Sequence, residues 1–170
     1  MIRAHRFRFL IQQHKNWIYT YAFYFTGDRA EADDITQEAM IRLWRHLDEI
    51  KFGSAGRWIK RTVRNLCVDA ARRRRRLVID SESLEDHPGS MIDPMDRAHD
   101  SLLADQIARA LTLLPEKHRS VLIMREIQDM SYREISTTLQ IPLNSTKVFL
   151  WRARSALRET LKKELEDAEI

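Results

Sequence analysis

Along most of this chain apolar residues return every three or four positions, the period of a helix, and the polar residues between them mark where each helix stops. From Phe7 to Phe25 the apolar set is Leu10, Ile11, Trp17, Ile18, Tyr21 and Phe25. Gly27 is placed to end that helix in the left-handed conformation. Asp28 follows as a cap for the next helix, and Glu31 completes a pattern like a capping box. Ala32, Ile35, Ala39, Leu43 and Leu47 then form one stripe. The opposite side shows Asp34, Gln37, Glu38, Ile41 and Arg45, a mixed surface suited to a protein partner. Lys51 to Gly56 reads as a short flexible connection.

The sharpest pattern runs from Trp58 to Arg76. Trp58, Thr62, Leu66 and Ala70 lie beside Ile59, Val63, Cys67 and Ala71 as one apolar stripe. Lys60, Arg61, Arg64 and the five arginines from Arg72 to Arg76 fall outside it, with Asn65 and Asp69 one turn apart among them. Such a helix buries one side and offers cations and an amide on the other, as a polyanion requires. After Arg76 the period is lost. Residues 80–97 are acidic and carry Pro88, Gly89 and Pro94, which predicts an extended linker.

Helical spacing resumes with Ala98, Leu102, Ile107, Leu111 and Leu114, and Pro115 interrupts it. Val121, Leu122 and Ile127 are the inward positions that follow. Ser131 and Glu134 make a second capping box, opening a short helix through Ile135 and Leu139. Gln140 to Leu143 is a tight turn, and Asn144 is the expected cap of a final helix that ends near Glu164. A short helix, a turn and a longer basic helix describe a helix-turn-helix. The fold class is therefore all-α, with helical domains at 1–79 and 98–170 joined by the acidic linker.

Charge sharpens this division. Residues 1–80 hold 17 Lys/Arg against 9 Asp/Glu, a balance of +8, whereas residues 81–100 stand at −5 and residues 101–170 at +1. Cys67 has no second cysteine to pair with and sits on the apolar stripe, so it reads as a small buried hydrophobe. The six histidines are scattered, with no pair at metal-ligand spacing. No glycine-rich phosphate loop and no nucleophile elbow occur. A non-enzymatic protein with no metal and no cofactor is expected. No apolar run approaches the ~20 residues of a membrane span, and the expected location is the cytoplasm.

Several motifs together resemble the bacterial sigma factors of the extracytoplasmic-function type. Gly27-Asp28, Ala32 to Glu38 and Arg42-Leu43-Trp44 are similar to their region 2.1–2.2. Trp58-Ile59, Arg64-Asn65-Leu66, Asp69 and the arginine run resemble region 2.3–2.4. Leu114 to Arg119, Met130 to Ile135 and Arg152 to Arg158 resemble region 4. The resemblance implies an initiation factor that binds core RNA polymerase and promoter DNA, with an anti-sigma factor as a candidate third partner. Polymerase binding maps by motif onto Asp34, Gln37, Glu38 and Arg42. Capture of the single-stranded −10 element maps onto Phe52, Ser54, Arg61, Asn65, Arg72 and Arg73. Duplex −35 binding maps onto Ser145, Thr146, Lys147, Val148, Phe149, Arg152 and Arg154.

Two departures from the family pattern stand out. The loop before Trp58 is shorter than usual, and Val148, Phe149 and Trp151 stand where polar or basic residues are the family's habit. Those three side chains either face outward or belong to the core, and the sequence leaves both open. A stand-alone helix-turn-helix regulator is the alternative function, though it leaves the Trp58 helix and the Asp34/Gln37 surface without a purpose.

Overall fold

A computed structural model describes residues 2–80 and 98–168, and among these every regular element is helical. The chain divides into two compact units, residues 1–91 and 92–170. Most of the expected linker lies outside the described residues; Asp80, its first residue, ends a helix.

The first unit is built from α1 (Ile2–Thr26), α2 (Arg29–His46) and α3 (Ala55–Asp80), each packed on the other two. Between α1 and α2 the chain reverses at Gly27, whose φ of 72° is the left-handed conformation that glycine adopts without strain. Asp28 caps α2, its carboxylate accepting the Glu31 amide at 2.9 Å. An aromatic ladder on α1 fills the centre: Trp17 stacks on Tyr21 with centroids 5.1 Å apart, and Tyr21 on Phe25 at 5.8 Å. Ala32, Ile35, Ala39, Leu43 and Leu47 are all buried, as the α2 stripe predicts. Ile59, Val63, Leu66, Cys67 and Ala70 do the same for α3. Gly56 lets the start of α3 sit close against α1, since a Cβ there would lie 3.3 Å from His14 Cε1.

Two boundaries differ from expectation. The Lys51–Gly56 stretch is no slack connection: Phe52–Ser54 forms a 3₁₀ turn, and Ser54 closes it by donating both its amide and its hydroxyl to the Lys51 carbonyl, each at 2.9 Å. Helix α3 starts earlier than Trp58 and continues past Arg76 to Asp80, a stretch with no Gly or Pro after Gly56. The apolar period vanishes there because Leu77, Val78 and Ile79 are all exposed.

The second unit contains α4 (Ala98–Thr112), α5 (Glu116–Leu122), α6 (Tyr132–Leu139) and α7 (Leu143–Ala168). Helix α7 packs against α4, α5 and α6 and carries Thr146, Leu150 and Ala153 into the core. Arg119 on α5 is buried to 4% exposure and donates to the carbonyls of Thr112 at 2.6 Å and Leu114 at 3.0 Å. These are orphan acceptors at the end of α4, so Arg119 ties the α4–α5 turn together. A wide π turn, Ile123–Ile127, follows α5 and ends at Asp129 with φ 52°. The capping box at α6 forms in both directions, Glu134 N to Ser131 Oγ at 3.2 Å and Ser131 N to Glu134 Oε2 at 2.8 Å. Gln140 makes the helix-turn-helix corner with φ 54°.

Leu102, expected inward, is exposed, because the buried residues of α4 lie in its last turns at Ala108, Ala110 and Leu111. Asn144 is not the cap of α7. The helix already begins at Leu143, and the Pro142 carbonyl accepts the Thr146 amide at 3.0 Å and its hydroxyl at 3.2 Å.

Candidate nucleic-acid interface

At 100° per residue, Arg61, Asn65, Arg72 and Arg76 occupy one narrow sector of α3, with Asp69 at its edge. Asn65, Asp69, Arg72, Arg73 and Arg76 are exposed, whereas Arg61 is half-buried. The Asn65 carbonyl oxygen accepts from Arg64 Nη1 at 3.2 Å. Its side-chain NH₂ remains a group that can donate. Phe52, in the turn that leads into α3, is 72% exposed. Its neighbour Ser54 spends its hydroxyl on Lys51 and thereby shapes the turn.

The arginine run is not uniform. Arg74 ion-pairs with Glu31, lies 3.8 Å from Asp28 and donates to the Thr26 carbonyl at 3.1 Å. It therefore clamps α3 to the α1–α2 turn. Burial pushes the Glu31 carboxyl above its usual range, and the charge of Arg74 opposes that rise.

On α7 the outward sector is Asn144, Val148, Trp151 and Ser155, flanked by Lys147 on one side and Arg152 on the other. Val148 is 44% and Trp151 69% exposed, so these two face solvent. Phe149 does not join them. It is half-buried, its ring 5.2 Å from that of His118. Burial first, and then the charge of Arg152, lower the His118 pKa below its usual value. One further expected DNA contact is corrected, and another has a partner within its own unit. Thr146 is fully buried, with its hydroxyl turned back onto Pro142. Arg154 donates Nε to Glu126 Oε1 at 2.7 Å and a second N–H to the same oxygen, which makes it a brace between α7 and the π turn. Ser145 is half-buried, and Lys147 and Arg152 remain exposed.

The outer face of α2 presents exposed Asp34 and Gln37, with Glu38 and Arg42 joined by a 2.7 Å ion pair. Ile41 and Trp44 extend it with apolar surface. Sequence reasoning missed the groups that shore up its far end. Arg3 donates to the Trp44 carbonyl at 2.7 Å and pairs with Asp48 at 3.1 Å. Arg6 donates to the carbonyls of Leu47 and Ile50. Cations at a helix C-terminus are favourable, but partners more than 40 positions apart leave no local signal.

Residues 10–77 match the family described as sigma-70 region 2, and residues 104–157 match sigma-70, region 4. An ECF RNA polymerase sigma factor from Bacillus subtilis, SigW, is 30% identical over 90% of this chain and 87% of its own length. SigL of Mycobacterium tuberculosis is 35% identical over 91% of this chain and 88% of its own. SigE of Mycolicibacterium smegmatis is 32% identical over 91% of this chain, which spans 61% of that longer protein. Among solved structures, the sigma factor RpoE of Bartonella quintana, bound to the anti-sigma factor NepR, shares the fold with a TM-score of 0.69 at 23% identity, covering 92% of this chain and 96% of that one. CnrH, in complex with the cytosolic domain of CnrY, shares it with a TM-score of 0.70 at 21% identity over 92% and 88%. The chain belongs to the extracytoplasmic-function sigma factors of the sigma-70 family, which bind core RNA polymerase and direct initiation at promoters.

Proposed function

We propose that the Arg61–Asn65–Arg72–Arg76 sector of α3, with the Phe52 turn before it, takes up the single non-template strand of the −10 element. The observation that carries this reading is one helix face on which cations bracket an amide donor, in the helix that an exposed aromatic ring precedes. Single-strand capture needs a π surface for an unstacked base, a hydrogen-bonding group for its edge and cations along the phosphates. Helix α7 then enters the −35 major groove, and Asp34, Gln37, Glu38 and Arg42 on α2 meet core polymerase. The protein works in the cytoplasm and performs no catalysis of its own. The complex of RpoE with the anti-sigma factor NepR supports a partner of that class here too.

Asn65→Ala tests the −10 assignment. Run-off transcription from a promoter library with reconstituted holoenzyme should show relaxed preference at one −10 position, by about 1–3 kcal/mol of discrimination. Unchanged preference at every position would remove Asn65 from the reading head.

The α7 face makes its own prediction. Val148 and Trp151 are apolar and suit thymine methyl groups, but neither can make the bidentate bonds that fix guanine. A randomised −35 library should yield A/T-leaning sites, and Trp151→Arg should admit guanine at one position. Guanine-rich sites selected by the unaltered protein would contradict this.

A further inference from the structure

Arg6 lies far from the −10 residues in sequence, yet it meets the Phe52 turn from beneath. Its Nη1 donates to the Leu47 carbonyl at 2.8 Å, and its Nη2 donates to the Ile50 carbonyl. Those acceptors flank the exit of α2, where carbonyls lack helical partners and the helix dipole is negative. Ile50 is followed by Lys51, whose carbonyl takes both hydrogen bonds from Ser54. The turn is thus held at its entrance by Arg6 and at its exit by Ser54. Phe52 sits between the two, and the Arg6 guanidinium carbon is 5.8 Å from its ring centroid. That is within the ~6 Å reach of a cation–π contact.

We propose that Arg6 is a positioning residue for strand capture: it underlies the Phe52 ring and fixes it as a stacking platform for a flipped base. This rests on the reading of Phe52 as part of the −10 site. A free phenyl ring with 72% exposure would sample several rotamers. A planar cation beneath it, anchored on two carbonyls, leaves the opposite face for the base. The fork of Arg6 matters because Nη1 and Nη2 each serve a different carbonyl while the guanidinium stays within reach of the ring, whereas a lysine ammonium is a point charge on a flexible stem.

A double-mutant cycle on the holoenzyme tests this, using a short single-stranded oligonucleotide selected by the wild-type holoenzyme from a random pool. Phe52→Ala should weaken its binding by about 5- to 100-fold, the range for loss of one base–aromatic stack. Arg6→Lys should weaken it by about 3- to 10-fold, and the double variant should bind no worse than Phe52→Ala alone. Fluorescence of a 2-aminopurine at the captured position should report less stacking in Arg6→Lys. If the two losses multiply, Arg6 merely supports the scaffold and the proposal is overturned. If Phe52→Ala binds normally, the stacking role of Phe52 falls, and the role of Arg6 with it. Thermal melts and core-polymerase affinity of each variant separate these outcomes from misfolding.

Discussion

Replacing Arg119 by methionine should lower the stability of the second unit by about 3–6 kcal/mol, since it removes two hydrogen bonds from a charged donor, each worth about 1.5–3 kcal/mol, and strands a buried carbonyl. Arg119 is almost wholly buried and serves two carbonyls on the α4–α5 turn. A domain of this size is stable by only about 5–15 kcal/mol, so the change is a large part of the total. Both bonds leave one nitrogen, Nη2, so Arg119→Lys, whose ammonium carries three donors, should recover part of the loss if it reaches the same point. Arg133→Met, at an exposed position of α6, should stay within about 0.5 kcal/mol. A thermal melt of the full chain by circular dichroism compares the variants, and hydrogen exchange localises the loss to α4 and α5. Normal protection of those amides in Arg119→Met would show that the turn holds without its arginine.

The Arg119 case also shows which kind of information a sequence carries. Its motif, Leu114 to Arg119, was legible and pointed to region 4, but nothing in it says that the guanidinium points inward. What could be read were interactions closed within a few residues. The Asp28 cap, the left-handed Gly27 and the Ser131/Glu134 box all stand as expected. Apolar stripes were equally legible, because burial at helical spacing is itself local. Val68 escaped that reading and is nonetheless buried. The long cationic side chains carried the least local signal. Arg74, Arg154 and Arg6 each find a partner between 28 and 48 positions away. A flexible cation is drawn by whatever acceptor the fold brings near, and sequence spacing does not encode that neighbour. Thr146 was misassigned for a different reason: a hydroxyl suits DNA on an outward position, but here it completes the first turn of α7.

The same distinction predicts that the arginine run divides into two kinds of residue. Arg73 and Arg76 are exposed on α3, whereas Arg74 is committed to Glu31, Asp28 and Thr26. Changing Arg73 and Arg76 together to glutamine should weaken open-complex formation on every promoter by roughly tenfold at physiological salt, and flatten the log–log salt slope by about 1.4–1.8. Arg74→Gln should leave that slope nearly unchanged and act on stability instead. The pair is half-exposed, so the cost at neutral pH should be no more than about 1 kcal/mol. Its pH dependence has a definite sign. Arg74 is the larger of the two charges, with Arg73, that restrain the raised Glu31 pKa, so without it that pKa climbs further. A carboxyl whose folded-state pKa is raised favours folding below its unfolded pKa and loses that advantage as pH rises through the folded value. The deficit of Arg74→Gln relative to wild type should therefore be full at neutral pH and shrink on acidification, as Glu31 becomes protonated and no longer needs a cation. Chemical denaturation of the two proteins between neutral and mildly acidic pH measures this difference. A deficit independent of pH, or a salt slope flattened as much as in the Arg73/Arg76 pair, would place Arg74 on the DNA after all.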